Sequence, residues 1–409
     1  MSSSQMVNVG SIGVTGGVYA PVMGTFTTAS TENNAVNPVR TAGTIKTLYT
    51  YVSSGPAMMT MIATLRKNNA DTSLTVTYST SQTGIKEDTV SGHNVSVITT
   101  DKISYGFSGV SSTTFKVMGV QFQPTTGTVV VMIMCARGSV STGTAQTTYN
   151  AVNGDFKVGT TEAPCKLSVG QTFTASNLYT SLSINNWMGT TTFKSRVNGV
   201  DGAMSTSYTL SQTGIKEDTT NTDALSIGDD FNYALTLGSG SGTITAEFVQ
   251  CVLTKSSVTN TFFPLMASST EGVGVAFNTT TYCGCAGDLL FTTTEADTQI
   301  RPRFTFTAAQ LGAYATANTI ATSDSTVTVR DAGVDSIVTV SFSAAQTGLQ
   351  TDNTNSTIIS SAANFVNYKV VTPNTSGTLT LSYIGLLSKA EGVGTNLFVR
   401  QAINRAATY

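Results

Sequence analysis

Side chains able to do acid-base or nucleophilic chemistry are few in this chain of 409 residues, which has a single histidine, His93, in the run SGHNVS. A Ser-His-Asp triad needs an imidazole to take the serine proton and a carboxylate to orient the ring, so any such centre would have to be built on His93. The Gly, Asn and Ser around it are turn formers, and an exposed loop histidine is the expected reading. Five cysteines, Cys135, Cys165, Cys251, Cys283 and Cys285, are an odd number in a long chain and suit no small disulfide framework. Cys283-Gly284-Cys285 lacks the spacing that lets two thiolates share a tetrahedral zinc. Free thiols are expected, with Cys135 (VVVMIMCA) and Cys251 (AEFVQCVL) behaving as small buried hydrophobes. No catalytic residue, metal or cofactor is expected.

Oxygen ligands for calcium could come from Asp229 and Asp230, from Thr351 to Asn355, or from Glu87 and Asp88, but none has EF-hand spacing. A glycosidase needs only two carboxylates that meet in space, and 23 acidic residues in 409 leave that supply thin. GSGSG at Gly238 to Gly242 leads into a strand pattern, so it lacks the helix N-terminus of a phosphate loop and reads as a hairpin turn. Trp187 and Tyr208 could stack on a sugar if they exposed a flat face; core packing is the expected role.

The residues with the clearest spacing belong to an internal repeat. QTGIKEDT occurs at Gln82 to Thr89 and again at Gln212 to Thr219, and recurs as QTGLQTDN at Gln346 to Asn353. Tyr19 and Glu32, Tyr149 and Glu162, Tyr282 and Glu295 keep a common spacing of 13 residues. A third register is expected where TGTVVVMIMCARGS, SGTITAEFVQCVLTKS and SGTLTLSYIGLLSKA each put a Gly-Thr turn before an apolar strand. Periodicity of this length marks tandem copies of one unit. The expected division is a first module with its N-terminal arm (1–138), a second (139–267), a third (268–388) and an extended tail (389–409). Within the repeated loop Gln82, Lys86, Asp88, Gln212, Lys216 and Asp218 are the candidate binding residues. Turn chemistry competes, because Gly84, Gly214 and Gly348 can supply positive φ and the following Asp can bond nearby amides.

What must position these residues is a set of β-strands. TIKTLYTYV, MMTMIATLRKN, TSLTVTYST, FKVMGVQFQ and their counterparts are rich in β-branched and aromatic residues and alternate apolar with polar. Such strands hide their apolar faces by closing into two-layer sandwiches, and no amphipathic helix competes. A short helical turn near Gln401 to Ala407 is the one exception considered. Charged residues make up 11% of the chain and the formal net charge is −2, which offers no footprint for nucleic acid or an anionic membrane. The N-terminus has no basic n-region or apolar h-region, so no signal peptide is expected.

LRKNNADTSLTVTYSTSQTGIKEDT followed by SVITTDKISYGFSG, and SRVNGVDGAMSTSYTLSQTGIKEDT in the second copy, resemble the jelly-roll modules of bacteriophage virion proteins, similar in architecture to tumour-necrosis-factor-like domains. The resemblance implies three antiparallel jelly-roll sandwiches joined by extended links. It also implies a non-enzymatic role: a capsid decoration, cement or fibre-like protein of the virion surface, made in the host cytoplasm. Its partners would be other virion proteins or copies of itself. Three copies could stand around a pseudo-three-fold axis. A carbohydrate- or receptor-binding module of a phage tail or cell-surface appendage, with surface glycans as partner, is the alternative, and a polysaccharide hydrolase ranks behind both. The third copy, VTVRDAGVDSIVTVSF, departs from the RKN and RVNG signature, so a shared surface role is not expected there.

Overall fold

In a computed structural model of the chain, the residues described are 3–22, 28–109, 111–125, 130–140, 144–152, 154–155, 159–169, 172–255, 262–302, 305–360, 364–373, 375–390 and 396–399. They form three antiparallel β-sandwiches. The first contains β1 (Ser3–Val14), β2 (Val18–Ala20), β3 (Asn37–Pro38), β4 (Gly43–Ser54), β5 (Met61–Lys67), β6 (Ala70–Tyr78), β7 (Gly84–Asp88), β8 (Val95–Val97), β9 (Lys102–Ser108) and β10 (Thr113–Pro124). The second contains β11 (Val130–Val140), β12 (Thr147–Asn150), β13 (Gly154–Asp155), β14 (Leu167–Ser168), β15 (Phe173–Asn185), β16 (Thr191–Val197), β17 (Val200–Tyr208), β18 (Gly214–Leu225), β19 (Asp230–Leu237) and β20 (Ile244–Lys255). The third contains β21 (Phe262–Ala276), β22 (Thr280–Cys283), β23 (Gly287–Asp288), β24 (Phe306–Asn318), β25 (Ser325–Asp331), β26 (Val334–Phe342), β27 (Gly348–Ile359), β28 (Val366–Val371) and β29 (Thr378–Ala390); β30 (Asn396–Val399) follows.

Each sandwich repeats one jelly-roll topology. Its inner sheet has the order β1-β10-β4-β7, β11-β20-β15-β18 or β21-β29-β24-β27, and its outer sheet the order β2-β9-β5-β6, β12-β19-β16-β17 or β22-β28-β25-β26. Period-2 alternation does what the sequence pattern requires: Leu74, Val76 and Tyr78 of β6 are buried, as are Met204, Thr206 and Tyr208 of β17 and Val338, Val340 and Phe342 of β26. Between the outer-sheet hairpin strands, Asn68-Asn69, Asn198-Gly199 and Ala332-Gly333 take positive φ, as tight two-residue hairpins demand. A second conserved irregularity lies within β4, β15 and β24, where Thr47, Asn177 and Gln310 have φ of 52°, 56° and 52°. In β15 and β24 the pairing register shifts at this residue, the mark of a bulge that bends the strand.

Strand pairing moves two expected boundaries. β11 pairs with β20 and β21 pairs with β29, so each opens the sandwich that follows it. Divisions at 138/139 and 267/268 would cut both strands. The TGTVVVMIMC run therefore opens the second module and does not close the first; the strand corresponding to β20 and β29 is β10. An apolar strand after Gly-Thr does not say which sheet it joins. The spacing does, since 115 residues separate Gly127 from Gly242, short of the 130 kept by the other anchors. From the tail, β30 adds in parallel to β1, Ser3 opposite Asn396 through Met6 opposite Val399. The turn expected at Gln401 to Ala407 lies outside the described residues.

The three modules close on one another head to tail. Between the tyrosine and the inner sheet of each module runs an arm carrying a short 3-10 turn, Glu32–Asn34, Ala163–Cys165 or Glu295–Thr298. The first arm lies on the second module, where Gln250 Nε2 of β20 donates to Pro38 O at 3.5 Å. The second arm's turn packs on β21 and β29, and the third arm's turn packs on β1 and β10. Buried apolar side chains form one continuous cluster through all three sandwiches. Modules coupled through a shared core and a closed ring should unfold together. Scanning calorimetry of the whole chain should show one transition whose van't Hoff and calorimetric enthalpies agree; three resolved transitions would mean independent modules.

Candidate functional site

The repeated polar residues fall into two devices. The first joins the Tyr-to-Glu anchor to an arginine. Arg66, Arg196 and Arg330 donate from Nε to Glu32, Glu162 and Glu295 Oε1, each at 2.9 Å. Each guanidinium also lies over the anchor tyrosine, 5.3 Å from the Tyr19 ring centre, 5.4 Å from Tyr149 and 5.8 Å from Tyr282, within cation-π range. The other edge of each fork reaches a carboxylate on the next strand, Asp71, Asp201 or Asp335. Hydrogen bonding to Glu162 holds the Arg196 cation, and the same contact to Glu295 holds Arg330. Sequence reasoning missed these arginines, although they follow their glutamates by 34, 34 and 35 residues. The third copy keeps this contact through Arg330 despite its altered signature.

The second device is the QTGIKEDT loop. Asp88 Oδ2 accepts the backbone N–H of Thr75 at 2.9 Å, Asp218 Oδ2 that of Ser205 at 2.9 Å, and Asp352 Oδ2 that of Thr339 at 3.0 Å. Each aspartate thus ties the last strand of the inner sheet to the last strand of the outer one and satisfies an amide that the sheet edge leaves unpaired. Burial alone would raise the Asp218 carboxyl; bonds from the Asn221 side chain and the backbone of Ser205, Asn221 and Thr220 outweigh it and hold the pKa down to about 2. Asp88 and Asp352 are lowered in the same way, against burial, by Thr75 and His93 and by Asn355 and Thr339. Gln82 and Gln212 accept from Ser79 and Thr209 N at 3.0 and 2.9 Å and close the turn. Gly84, Gly214 and Gly348 have φ of 90°, 82° and 86°, as the turn reading requires. Lys86 and Lys216 donate to Thr77 O and Ser207 O and cross the rings of Tyr78 and Tyr208 at 5.3 and 5.0 Å.

One residue of the loop faces a neighbouring module. Glu217 Oε1 lies 2.6 Å from Arg40 NH2, whose guanidinium carbon stands 3.9 Å above the Tyr179 ring centre. Glu87 Oε1 lies 3.0 Å from Arg301 NH1 of the third arm, and Lys116 Nζ of β10 lies 3.0 Å from Asp297 Oδ2. Where the third module would offer its glutamate it has Thr351, and the position 130 residues after Arg40 is Gly170. Acid and arginine are absent together from that pairing.

The remaining candidates sit in the fold's interior or its turns. Trp187 and Tyr208 are fully buried, so neither presents a face to a glycan. The indole Nε1–H donates to Gly238 O at 3.1 Å, and the Tyr208 hydroxyl lies 2.9 Å from Thr180 Oγ1. His93 Nδ1 lies 2.8 Å from Asp88 Oδ2, and among the described residues the ring has no serine partner. Cys165, Cys251, Cys283 and Cys285 are buried and stand outside any disulfide; the side chain of Cys135 lies outside the described residues. Burial, with Glu162 nearby, pushes the Cys165 thiol up to about 12, and burial beside Cys285 raises Cys283 well above the usual thiol range, so both disfavour the reactive thiolate. Asp229 accepts from Asn198 Nδ2 and from Ser226 N, both at 2.7 Å, and Asp230 lies 3.3 Å from Lys166 Nζ. Among the described residues no three His, Cys, Asp or Glu side chains converge on a metal position, and no helix is long and apolar enough to cross a membrane. No family model matches the chain, and no curated protein matches it.

Two measurements test these roles. A carboxyl whose folded pKa is depressed contributes stability above its unfolded pKa of about 3.9 and loses it as pH falls through the folded value. Asp218→Asn should therefore cost about 1–3 kcal/mol at neutral pH, and its deficit in urea unfolding should vanish as pH falls from about 4 to 2. A double-mutant cycle of Arg40→Ala with Glu217→Ala should give a coupling of about 0.5–1 kcal/mol, since the acid is partly exposed, and Arg40→Ala alone should cost more because it also leaves Tyr179 uncovered.

Proposed function

We propose that the chain is a non-enzymatic structural protein, a surface component of a bacteriophage particle of the decoration or fibre-like kind, assembled in the host cytoplasm. The observation that carries this reading is the closed ring: each arm seats on the next module, and the third returns to the first. A head-to-tail contact that closes after three units is the geometry of a trimer, and here one chain supplies all three units. Linking them replaces association from dilute solution by an intramolecular step at high effective concentration. The repeated Gln, Asp, Tyr, Glu and Arg side chains are engaged within the fold, which suits a rigid block better than a reactive cleft. The sequence resemblance to virion jelly-roll modules supplies the particle, and other virion proteins or further copies of the chain are the proposed partners.

Immunogold labelling of intact particles, purified from cells that make the chain, tests this directly. Label at regular positions on the particle surface is expected. Particles that carry no label, from cells in which the chain is abundant, would overturn the reading.

A further inference from the structure

We propose that the first module carries a binding site for a primary alkylammonium group on the outer face of its β2-β9-β5-β6 sheet. The sister modules show what that position is built to hold. In each outer sheet one row of cross-strand neighbours begins at the anchor tyrosine: Tyr19, Gly106, Thr64 in the first module, Tyr149, Ala234, Lys194 in the second, and Tyr282, Lys369, Thr328 in the third. Beside this row stands the aspartate that shares the clamped arginine. In the second module Lys194 Nζ lies 2.6 Å from Asp201 Oδ2, and in the third Lys369 Nζ lies 2.5 Å from Asp335 Oδ2. The two lysines come from different strands of the row, yet both bring an ammonium to the same carboxylate oxygen. The requirement is thus for the cation at that point, whichever strand delivers it.

The first module has threonine and glycine at the two lysine positions. Among the described ion pairs its Asp71 meets only Arg66, through Oδ1. The Asp71 side chain is 70% exposed, against 45% and 46% for Asp201 and Asp335. Beside Thr64, the counterpart of Lys194, there is a cavity of about 200 Å³ lined by Tyr19, Thr64, Arg66, Asp71, Gly106 and Phe107; at Gly106, the counterpart of Lys369, the Arg66 stem takes the space, its Cδ 2.5 Å from where a Cβ would stand. The cavity has room for several water molecules, and so for a short alkyl chain. Charge balance points the same way. In the second and third modules two carboxylates face one guanidinium and one ammonium, whereas in the first Glu32 and Asp71 face Arg66 alone. Arg66 does not exclude a second cation, because Arg196 shares Asp201 with Lys194, and Arg330 shares Asp335 with Lys369. The ligand is a singly charged ammonium on an apolar stem: a lysine side chain of a partner protein or a small free amine.

Saturation-transfer NMR of n-butylammonium with the full chain tests the site. Saturable binding in the millimolar range is expected, absent for n-butanol and weakened by about two- to fivefold, the worth of one exposed ion pair, in Asp71→Asn. Thr64→Lys places the second module's own solution in the first, so it should also abolish binding while leaving the melting temperature equal or higher, which separates loss of the site from loss of the fold. Nα-acetyl-lysine N-methylamide competing as well as n-butylammonium would support a partner's lysine as the natural occupant; its exclusion while n-butylammonium binds would support a free amine. Equal signals from wild type and Thr64→Lys, equal signals from the amine and the alcohol, or no signal at all would overturn the proposal.

Discussion

The arginine held between an arm and a sheet is the contact on which the rest of the architecture depends. Arg66, Arg196 and Arg330 rise from the first strand of each outer-sheet hairpin, β5, β16 and β25, and their glutamate partners lie on the arms. Backbone pairing holds each arm on either side of the turn, by the bridges at Tyr19–Ala29, Tyr149–Gly159 and Tyr282–Thr292 and then by β3 on β9, β14 on β19 and the Ile300–Val366 bridge, and without the arginine the stretch between those points is free to sample more paths. With it, the residues just beyond the glutamate, Pro38 and Arg40 in the first arm and Arg301 in the third, leave the sandwich at a set place and angle. The arginines are only 15%, 13% and 12% exposed, and guanidinium suits such a position because its planar fork meets two carboxylates while its face rests on a ring.

The QTGIKEDT motif then divides into two functions with different histories. Gln, Gly and Asp act inside one module, closing a turn and bridging two sheet edges, and all three modules keep them. Glutamate acts between modules and is kept only in the two that receive an arginine. In the third copy Thr351 replaces the glutamate, whose partner belongs to a neighbouring module, while Gln350 replaces a lysine that bonds within its own module. In the third module Tyr383 lies across Gly312, where a Cβ would stand 2.5 Å from its hydroxyl oxygen. Gly312 is the counterpart of Tyr179 in strand register, so this interface receives its aromatic ring from another strand.

How much of this was legible follows from which residues interact nearby in register and which across the ring. Strand alternation and the positive-φ glycines could be read because they depend on local geometry. The Tyr-to-Glu spacing was visible as a pattern, but its meaning required Arg66, which lies on another strand; the distance of 34, 34 and 35 residues from each glutamate to its arginine was the available signal. Arg40, Arg301 and Gln250 left no such signal, because each interface uses different residues and repetition cannot reveal what is not repeated. The misplaced third register had another cause. β11 and β20 are both apolar strands after Gly-Thr, and side-chain pattern does not encode the pairing partner.

Fusion of the three modules explains why these interfaces differ. In a symmetric trimer of identical chains every substitution appears three times, so an arginine added to one arm must be accommodated at all three contacts. A single chain lifts that constraint: an arginine over Tyr179 at one contact, Arg301 and Lys116 pairs at another, and a contact without the acid and arginine at the remaining one. The outer faces are released in the same way. Two modules complete the aspartate beside the clamp with their own lysines, taken from different strands, while the first leaves Asp71 beside an open cavity. Since the clamp itself is kept in all three, the difference at Asp71 alters the outer surface without weakening the tie between arm and sheet. One of three near-equivalent lobes can thus be distinguished from its sisters while the ring remains closed.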